Sequence, residues 1–234
     1  MKKTIQKSIA LAGLLASFSS PLMAVEFAGQ VTLTNDFRFH GISLTRGKEA
    51  LQGQVTALFD NGTYAGVWAS NLDVGDNSKV EVDYYAGYAG SFKDVKYDAT
   101  LIHFAFPGYD IDRDYTKLYL GFHYNKFTVL YQAAPDYLNS GEFGQYIGLE
   151  YKQPLNEHVL LTLHGGYSSG KFWNDLFPTG AYADYSIALS GKVGKTNVSV
   201  TYVTNSNMAD TSEVFSDNLF LSDDALLFSM SYPF

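Results

Sequence analysis

The chain has 234 residues, no cysteine, and 24 acidic against 16 basic side chains. Without cysteine there is no disulfide framework and no thiolate metal site, and a net charge of −8 offers no basic face to nucleic acid. Aromatic residues make up 16% of the chain, yet no apolar run is long enough for a spanning helix, which excludes a helical membrane protein but not a strand-built one.

Residues 1–24 read as a secretory signal peptide. Lys2, Lys3 and Lys7 form a basic start, an apolar stretch from Ile9 to Phe18 follows, and Ala24 supplies a small residue at the expected cleavage point. The stretch contains three lysines and no acid, so the remainder is more acidic still. No Pro/Gly/Ser-rich linker divides residues 25–234, and one domain is expected there.

Alternation begins directly after Ala24. Val25, Phe27, Gly29, Val31, Leu33 and Phe37 share one face, and Glu26, Gln30, Thr32, Thr34 and Asp36 share the other. Period two over such a span predicts a strand, longer than soluble strands usually are. The same pattern recurs at 51–60, 80–90, 115–124, 127–134, 143–152, 158–167, 183–193 and 197–204. Segments 63–72 and 96–106 are also extended, although in the latter Ile102, Phe104 and Phe106 compete with Tyr97, Leu101 and Ala105 for the apolar face.

The last strand, 225–234, carries Leu226, Phe228, Met230, Tyr232 and Phe234 on one face, with Ser229 and Ser231 between them. Its alternation and terminal aromatic residue match the closing strand of bacterial outer-membrane barrels, so Phe228, Met230, Tyr232 and Phe234 are the expected assembly signal. Pro233 cannot donate to a ladder and should stand at the strand's end. The total is about twelve strands, an even number as single-chain outer-membrane barrels require.

Short connections near Asn61-Gly62, Lys93-Asp94, Asn125-Lys126, 153–157 and 194–196 alternate with long ones at 40–50, 73–79, 107–113, 135–142, 168–182 and 205–224. Short periplasmic turns, long extracellular loops and both termini on the short-turn rim make up the outer-membrane arrangement. Phe59, Tyr64, Phe92, Tyr97, Tyr124, Phe127, Tyr151 and Phe234 flank the short turns and read as one interfacial girdle. The expected fold is therefore all-β, a single closed antiparallel transmembrane barrel.

Asp36-Phe-Arg-Phe-His-Gly-Ile-Ser43, Tyr64-Ala-Gly-Val-Trp-Ala-Ser-Asn71, Glu81-Val-Asp-Tyr-Tyr-Ala-Gly-Tyr88 and Phe106-Pro-Gly108 resemble the TorF family of outer-membrane porins. The similarity is strongest before about Gly108 by the same strand-and-turn reading. It implies an outer-membrane location and a channel role, and implies no substrate.

No nucleophile elbow, zinc motif or phosphate loop is present, and His40, His103, His123, His158 and His164 are scattered. A phospholipase-like site would need distant Ser, His and Asn brought together. No enzyme and no cofactor are expected. The pore-lining candidates are the polar inward positions Glu26, Gln30, Thr32, Asp36, Arg38, Glu81, Asp83, Lys117, His123, Glu150, His164 and Asp184, with Thr34, Tyr85 and Tyr119 beside them.

Two arrangements of these residues are open: a water-filled passage, which the excess of acid would make cation-preferring, or a plugged lumen of mutually paired groups. Asp36 and Arg38 are close enough to interact, whereas Glu81 and Asp83 have no arginine beside them. The 168–182 loop, with Phe172, Trp173, Leu176 and Phe177, could fold inward as a constriction or outward as a contact patch. The acids of 205–224 (Asp210, Glu213, Asp217, Asp223, Asp224) lack EF-hand spacing and read as a solvated loop. The functional expectation is a passive channel for ions or small hydrophilic solutes. The alternative is a non-conducting barrel with a structural or surface-loop binding role. Expected partners are outer-membrane lipid, the barrel assembly machinery and the permeating solutes.

Overall fold

The computed structural model describes residues 25–74, 77–176, 180–206 and 223–234. The proposed signal peptide lies outside the described residues, as do Phe177, Asp210, Glu213 and Asp217. In chain order the strands are β1 (Val25–Thr34), β2 (Arg38–Phe39), β3 (Ile42–Ser43), β4 (Ala50–Phe59), β5 (Thr63–Asn71), β6 (Val80–Phe92) and β7 (Val95–Ala105). There follow β8 (Tyr115–Tyr124), β9 (Phe127–Ala134), β10 (Gly144–Pro154), β11 (Val159–Ser169), β12 (Tyr182–Val193), β13 (Thr196–Ser206) and β14 (Ala225–Pro233). A 3-10 turn at Tyr137–Asn139 and a short helix α1 (Lys171–Leu176) are the only helical pieces among the described residues.

Twelve strands, all but β2 and β3, close into one antiparallel barrel with β1 paired to both β4 and β14. Closure leaves no unpaired edge, which is what a sheet in hydrocarbon requires. β1 meets β14 from Gln30↔Pro233 to Thr34↔Ser229. Beyond that register Gly29 and Phe234 exchange both backbone hydrogen bonds at 2.9 Å. Pro233 lies past the last β13–β14 pair, Asn197↔Ser231, so its missing N–H removes no bond from that ladder. The Phe234 ring covers Gly29, where any Cβ would collide with it.

The period-two pattern sorts the side chains as expected. Phe27, Leu33, Leu51, Leu101, Ile147, Phe228 and Met230 project from the outer wall, each at least half exposed in the absence of lipid. Leu101 settles the ambiguous β7: its odd positions face lipid and Phe104, at 4% exposure, faces the lumen. Phe92, Tyr124, Phe127 and Phe234 stand exposed at the short-turn rim as an aromatic belt. Tyr64 corrects that reading. It points inward, donating a 2.6 Å hydrogen bond to Asp98 and pairing with Thr100, because β5 carries its even positions on the lumen side.

A second correction concerns the first strand. β1 ends at Thr34 rather than running through Phe37. The chain then turns inward as a hairpin, β2 and β3, joined by His40 (φ 48°) and Gly41 (φ 79°). Positive φ at both central residues is what a tight hairpin turn of this hand demands. Gly41 is required twice over, because a Cβ there would also strike Asn205.

The outward face of β14 carries a direct test. A Phe228→Arg substitution places a charge against hydrocarbon, at a cost of roughly 2–4 kcal/mol near mid-membrane. Ser229→Ala removes only a 3.0 Å lumen-side hydrogen bond to Thr34, worth about 1 kcal/mol. Urea titration of the protein folded into phospholipid vesicles should show the larger loss for Phe228→Arg; equal losses would reverse the assigned facing.

Candidate functional site

The short-turn rim is periplasmic and the long-loop rim extracellular, since barrels of this kind insert from the periplasm. From the periplasmic side the lumen opens into a chamber of about 630 Å³ whose polar lining includes Gln54, Tyr64, Asp83, Tyr85, Asp98 and Tyr119. Tyr85 pairs with Thr56 across this wall at 2.6 Å. A second chamber of about 330 Å³ lies on the loop side, with mostly aromatic walls: Phe106, Tyr115, Tyr137, Phe172, Trp173 and Tyr182. Phe39, Glu81 and Phe104 line both chambers, so these three side chains form the partition between them.

Inward-folded loops build the second chamber. Phe39 and Ile42 come from the hairpin, Tyr137 from the 3-10 turn, and Phe172 and Trp173 from α1. They pack on Phe104, Tyr115, Ala134 and Tyr182 of the wall in one cluster. Tyr137 is central, with ring centroids 4.6 Å from Phe172, 5.0 Å from Tyr115 and 5.3 Å from Trp173. Gly144 makes the space for it, because a Cβ there would run into the Tyr137 ring. Of the two directions open to the 168–182 loop, Phe172 and Trp173 take the inward one.

Lys117 sits at the partition, 2% exposed. Its ammonium is 4.4 Å from the Phe39 ring centroid, 4.8 Å from Tyr137 and 5.3 Å from Phe104, and it donates to Gln132 at 3.3 Å. Aromatic faces are attractive to a desolvated cation. The same ammonium acts electrostatically on Glu81 and Asp83. These acids lack an arginine, as expected, but have a lysine from the neighbouring wall instead. The pairing was not legible because Lys117 is far away in sequence. Glu81 is buried, and Glu81 and Asp83 hydrogen-bond to each other through their carboxyl groups.

A second network runs along β10 to β12. The Tyr146 hydroxyl lies 2.7 Å from His164 Nε2 and 3.3 Å from Asp184, and His164 is 3.3 Å from Asp184 and 3.9 Å from Glu150. Tyr146 occupies the space left by Gly166, where a Cβ would meet its hydroxyl. His40, at the hairpin tip, stacks flat on Tyr146 with centroids 3.6 Å apart. Its geometry suits holding the hairpin, since His40 is stacked on the Tyr146 ring that His164 and Asp184 fix in place.

A third network anchors the hairpin base. Asp36 accepts from Arg38 Nε at 2.7 Å, Ser43 at 2.5 Å and Thr45 at 3.0 Å. Arg38 also donates to the carbonyls of Gly41 and Asp223. The expected Asp36–Arg38 contact is present, but in the inturned loop rather than on β1. Farther out, Asp73 joins Lys48 at 2.8 Å and Lys79 at 3.8 Å, tying the first two loops together. The Lys48 hydrogen bond holds the Asp73 carboxyl below the usual range.

The remaining candidates are dispersed. Gln30 and Thr32 face the lumen on β1, with Thr32 2.8 Å from Ser231. Glu26 is exposed at the periplasmic rim, and His123 lies near that rim, 2.9 Å from Thr128. The structure thus gathers Asp36 and Arg38 in one group, Glu81, Asp83 and Lys117 in a second, and Glu150, His164 and Asp184 in a third. Phe39, Phe104, Tyr137 and Tyr146 were absent from the candidate set. The signal for Phe104 was the inward parity of β7, once Leu101 is assigned to lipid.

Burial, and then the charges of Lys117 and His164, push His40 well below its usual value of 6.5, against a weaker opposing effect of the hydrogen bond it donates to Gln132. The folded hairpin therefore prefers neutral His40. Stability is full above pH 6.5 and falls below it, as the unfolded chain takes up a proton that the folded one resists. Thermal unfolding of the detergent-folded protein between pH 7.5 and 5 should show this loss. His40→Asn, which tolerates the positive φ, should flatten it; an unchanged slope would remove His40 as the cause.

A closed twelve-stranded antiparallel barrel with an apolar outer band, an aromatic rim and a polar lower lumen has the architecture of an outer-membrane β-barrel. The chain belongs to the family described as "Bacterial protein of unknown function (Gcw_chp)", whose model matches residues 18–234. No curated protein sequence matches it. Among solved structures it is similar in fold to the KdgM porin, with a TM-score of 0.53 and 10% identity over 90% of this chain and 98% of that one. KdgM in complex with disordered oligogalacturonate gives 0.52 and 9%, again over 90% and 98%. The NanC porin gives 0.54 and 9% over 87% and 97%.

Proposed function

We propose that the protein is an outer-membrane channel for passive movement of ions or small hydrophilic solutes, narrowed in its extracellular half by inturned loops. The observation that carries this reading is the pair of chambers inside one barrel, with Phe39, Glu81 and Phe104 lining both. The porin fold of its structural neighbours and the resemblance to TorF porins support it. Glu81 lines both chambers and Asp83 the lower one, and fixed negative charge in a narrow passage favours cations. Assembly through the closing strand, read from Phe228, Met230, Tyr232 and Phe234, is part of the same proposal, as is the absence of an enzymatic role.

Conductance of the refolded protein in planar bilayers tests the reading. With Glu81→Gln and Asp83→Asn combined, Lys117 becomes the dominant fixed charge, and the reversal potential across a salt gradient should move toward anion preference. An unchanged reversal potential would take these residues off the pathway. Absence of conductance from correctly folded barrels would favour the non-conducting alternative.

A further inference from the structure

We infer that the β2–β3 hairpin is an acid-released gate: protonation of His40 at its tip frees the hairpin, withdraws Phe39 from between the two chambers and widens the passage. The inference rests on the channel reading and deepens it, but release of the hairpin is measured without any current. His40 is built into a dry recess. Its ring stacks on those of Phe39 and Tyr146, with centroids 4.0 and 3.6 Å away. The gap it shares with Lys117, Gln132, Tyr137, Ser168 and Trp173 has no room for a water molecule. Its Nε2 is shut off from solvent and has no hydrogen-bond partner among the described residues. The ring donates instead to Gln132, whose Oε1 also accepts from Lys117 at 3.3 Å.

A neutral imidazole suits this recess, because an unprotonated Nε2 has no hydrogen to place. A second proton gives Nε2 a hydrogen with no partner in place and no water, on a ring now charged beside the Lys117 ammonium. The elements packed around His40 bring no carboxylate to it. β8 presents Lys117, β10 the Tyr146 ring, β11 His164, the 3-10 turn Tyr137 and α1 the neutral Trp173. Glu150 of β10 and Asp184 of β12 lie against His164, at 3.9 and 3.3 Å. On the hairpin itself Asp36 and Arg38 are paired at the base, 2.7 Å apart. A non-glycine residue at φ 48° is held there by its contacts, so the tip has other conformations to adopt once they fail. Phe39, next to His40 in the chain and lining both chambers, leaves with it. The released imidazole meets water and titrates at its ordinary value of 6.5. Each pH unit below that value therefore shifts the balance toward release by up to about tenfold.

The chain has no cysteine, so Ile42→Cys places a single thiol on the hairpin, at a position 4% exposed. Labelling of the detergent-folded protein by a charged, water-soluble thiol reagent is measured at pH 7.5 and pH 5. Each rate is divided by that of Leu155→Cys, an exposed position on a periplasmic turn, which cancels the pH dependence of the reagent. The ratio should rise at least tenfold at pH 5, and the single-channel conductance of the cysteine-free protein should rise several-fold. Adding His40→Asn should hold both at their pH 7.5 values. His164→Gln, which removes the neighbouring imidazole, should leave the acid response in place. An unchanged labelling ratio, a conductance that stays level or falls in acid, or a response lost in His164→Gln but kept in His40→Asn would each overturn the gate. Acid-enhanced labelling of a protein that carries no current at any pH would refute the channel reading alone.

Discussion

Phe39→Ala should raise single-channel conductance several-fold. Phe39 is the only one of the three partition residues that is not on a barrel strand; Glu81 belongs to β6 and Phe104 to β7. Its ring lies 6.1 Å from Phe104 and caps the Lys117 ammonium at 4.4 Å. Truncating it joins the two chambers and leaves the wall intact. The hairpin should keep its place, because the Asp36 network and the Asn205 hydrogen bond to the Gly41 carbonyl at 3.0 Å do not involve the Phe39 side chain, and His40 keeps its stack on Tyr146 when it loses the one on Phe39. Asp36→Ala should act differently. It strips acceptors from Arg38, Ser43 and Thr45 together, so the hairpin should move in and out, and the current should become noisy rather than uniformly larger. Planar-bilayer recordings at fixed salt separate the two behaviours. Wild-type conductance from Phe39→Ala would place the route for ions elsewhere in the lumen.

Lys117→Met should be the most destabilising single change in the lumen, because it removes a buried ammonium that four aromatic rings and Gln132 hold in place and whose charge acts on the Glu81 and Asp83 carboxyls. Methionine keeps the stem and packs well on aromatic rings, so little of the loss would come from packing. What remains is the hydrogen-bonded Glu81 and Asp83 pair beneath the aromatic cluster, with no cation from Lys117 to oppose its charge. Adding Glu81→Gln removes one of those carboxyls and should recover much of the stability. Recovery in the double variant distinguishes an electrostatic loss from a packing loss, because packing defects would add. Urea unfolding in phospholipid vesicles measures all three variants. A Lys117→Met protein within about 1 kcal/mol of wild type, the size of an ordinary substitution, would mean that water reaches the acids and solvates them.

What the sequence determined by itself was the barrel. Alternation is local: Val31 and Leu33 must face one medium, and Gln30 and Thr32 the other, whatever the rest of the chain does. The contrast between lipid and water is large enough to fix that facing, so the strands, their number, the short-turn rim and the outward set Leu226, Phe228, Met230 and Tyr232 were all legible. Even Pro233 was correctly placed at a strand end. Errors arose where an aromatic ring was judged by its neighbours in sequence. Tyr64 sits beside a short turn, as a girdle residue should, but its strand parity turns it toward Asp98.

Only the tertiary structure decided how the lumen is filled. The bend after Thr34 replaces continued alternation because Asp36 finds Arg38, Ser43 and Thr45 within its own loop. Phe39, Tyr137, Phe172 and Trp173 come from three separate connections, and their clustering depends on the barrel's circumference bringing those loops to one mouth. The electrostatic influence of Lys117 on Glu81 and Asp83 spans β6 to β8 across the intervening β7. Contacts of this kind leave no periodic trace in the chain. They depend on strand order, tilt and the space left by residues such as Gly144 and Gly166, which exist only once the barrel has closed.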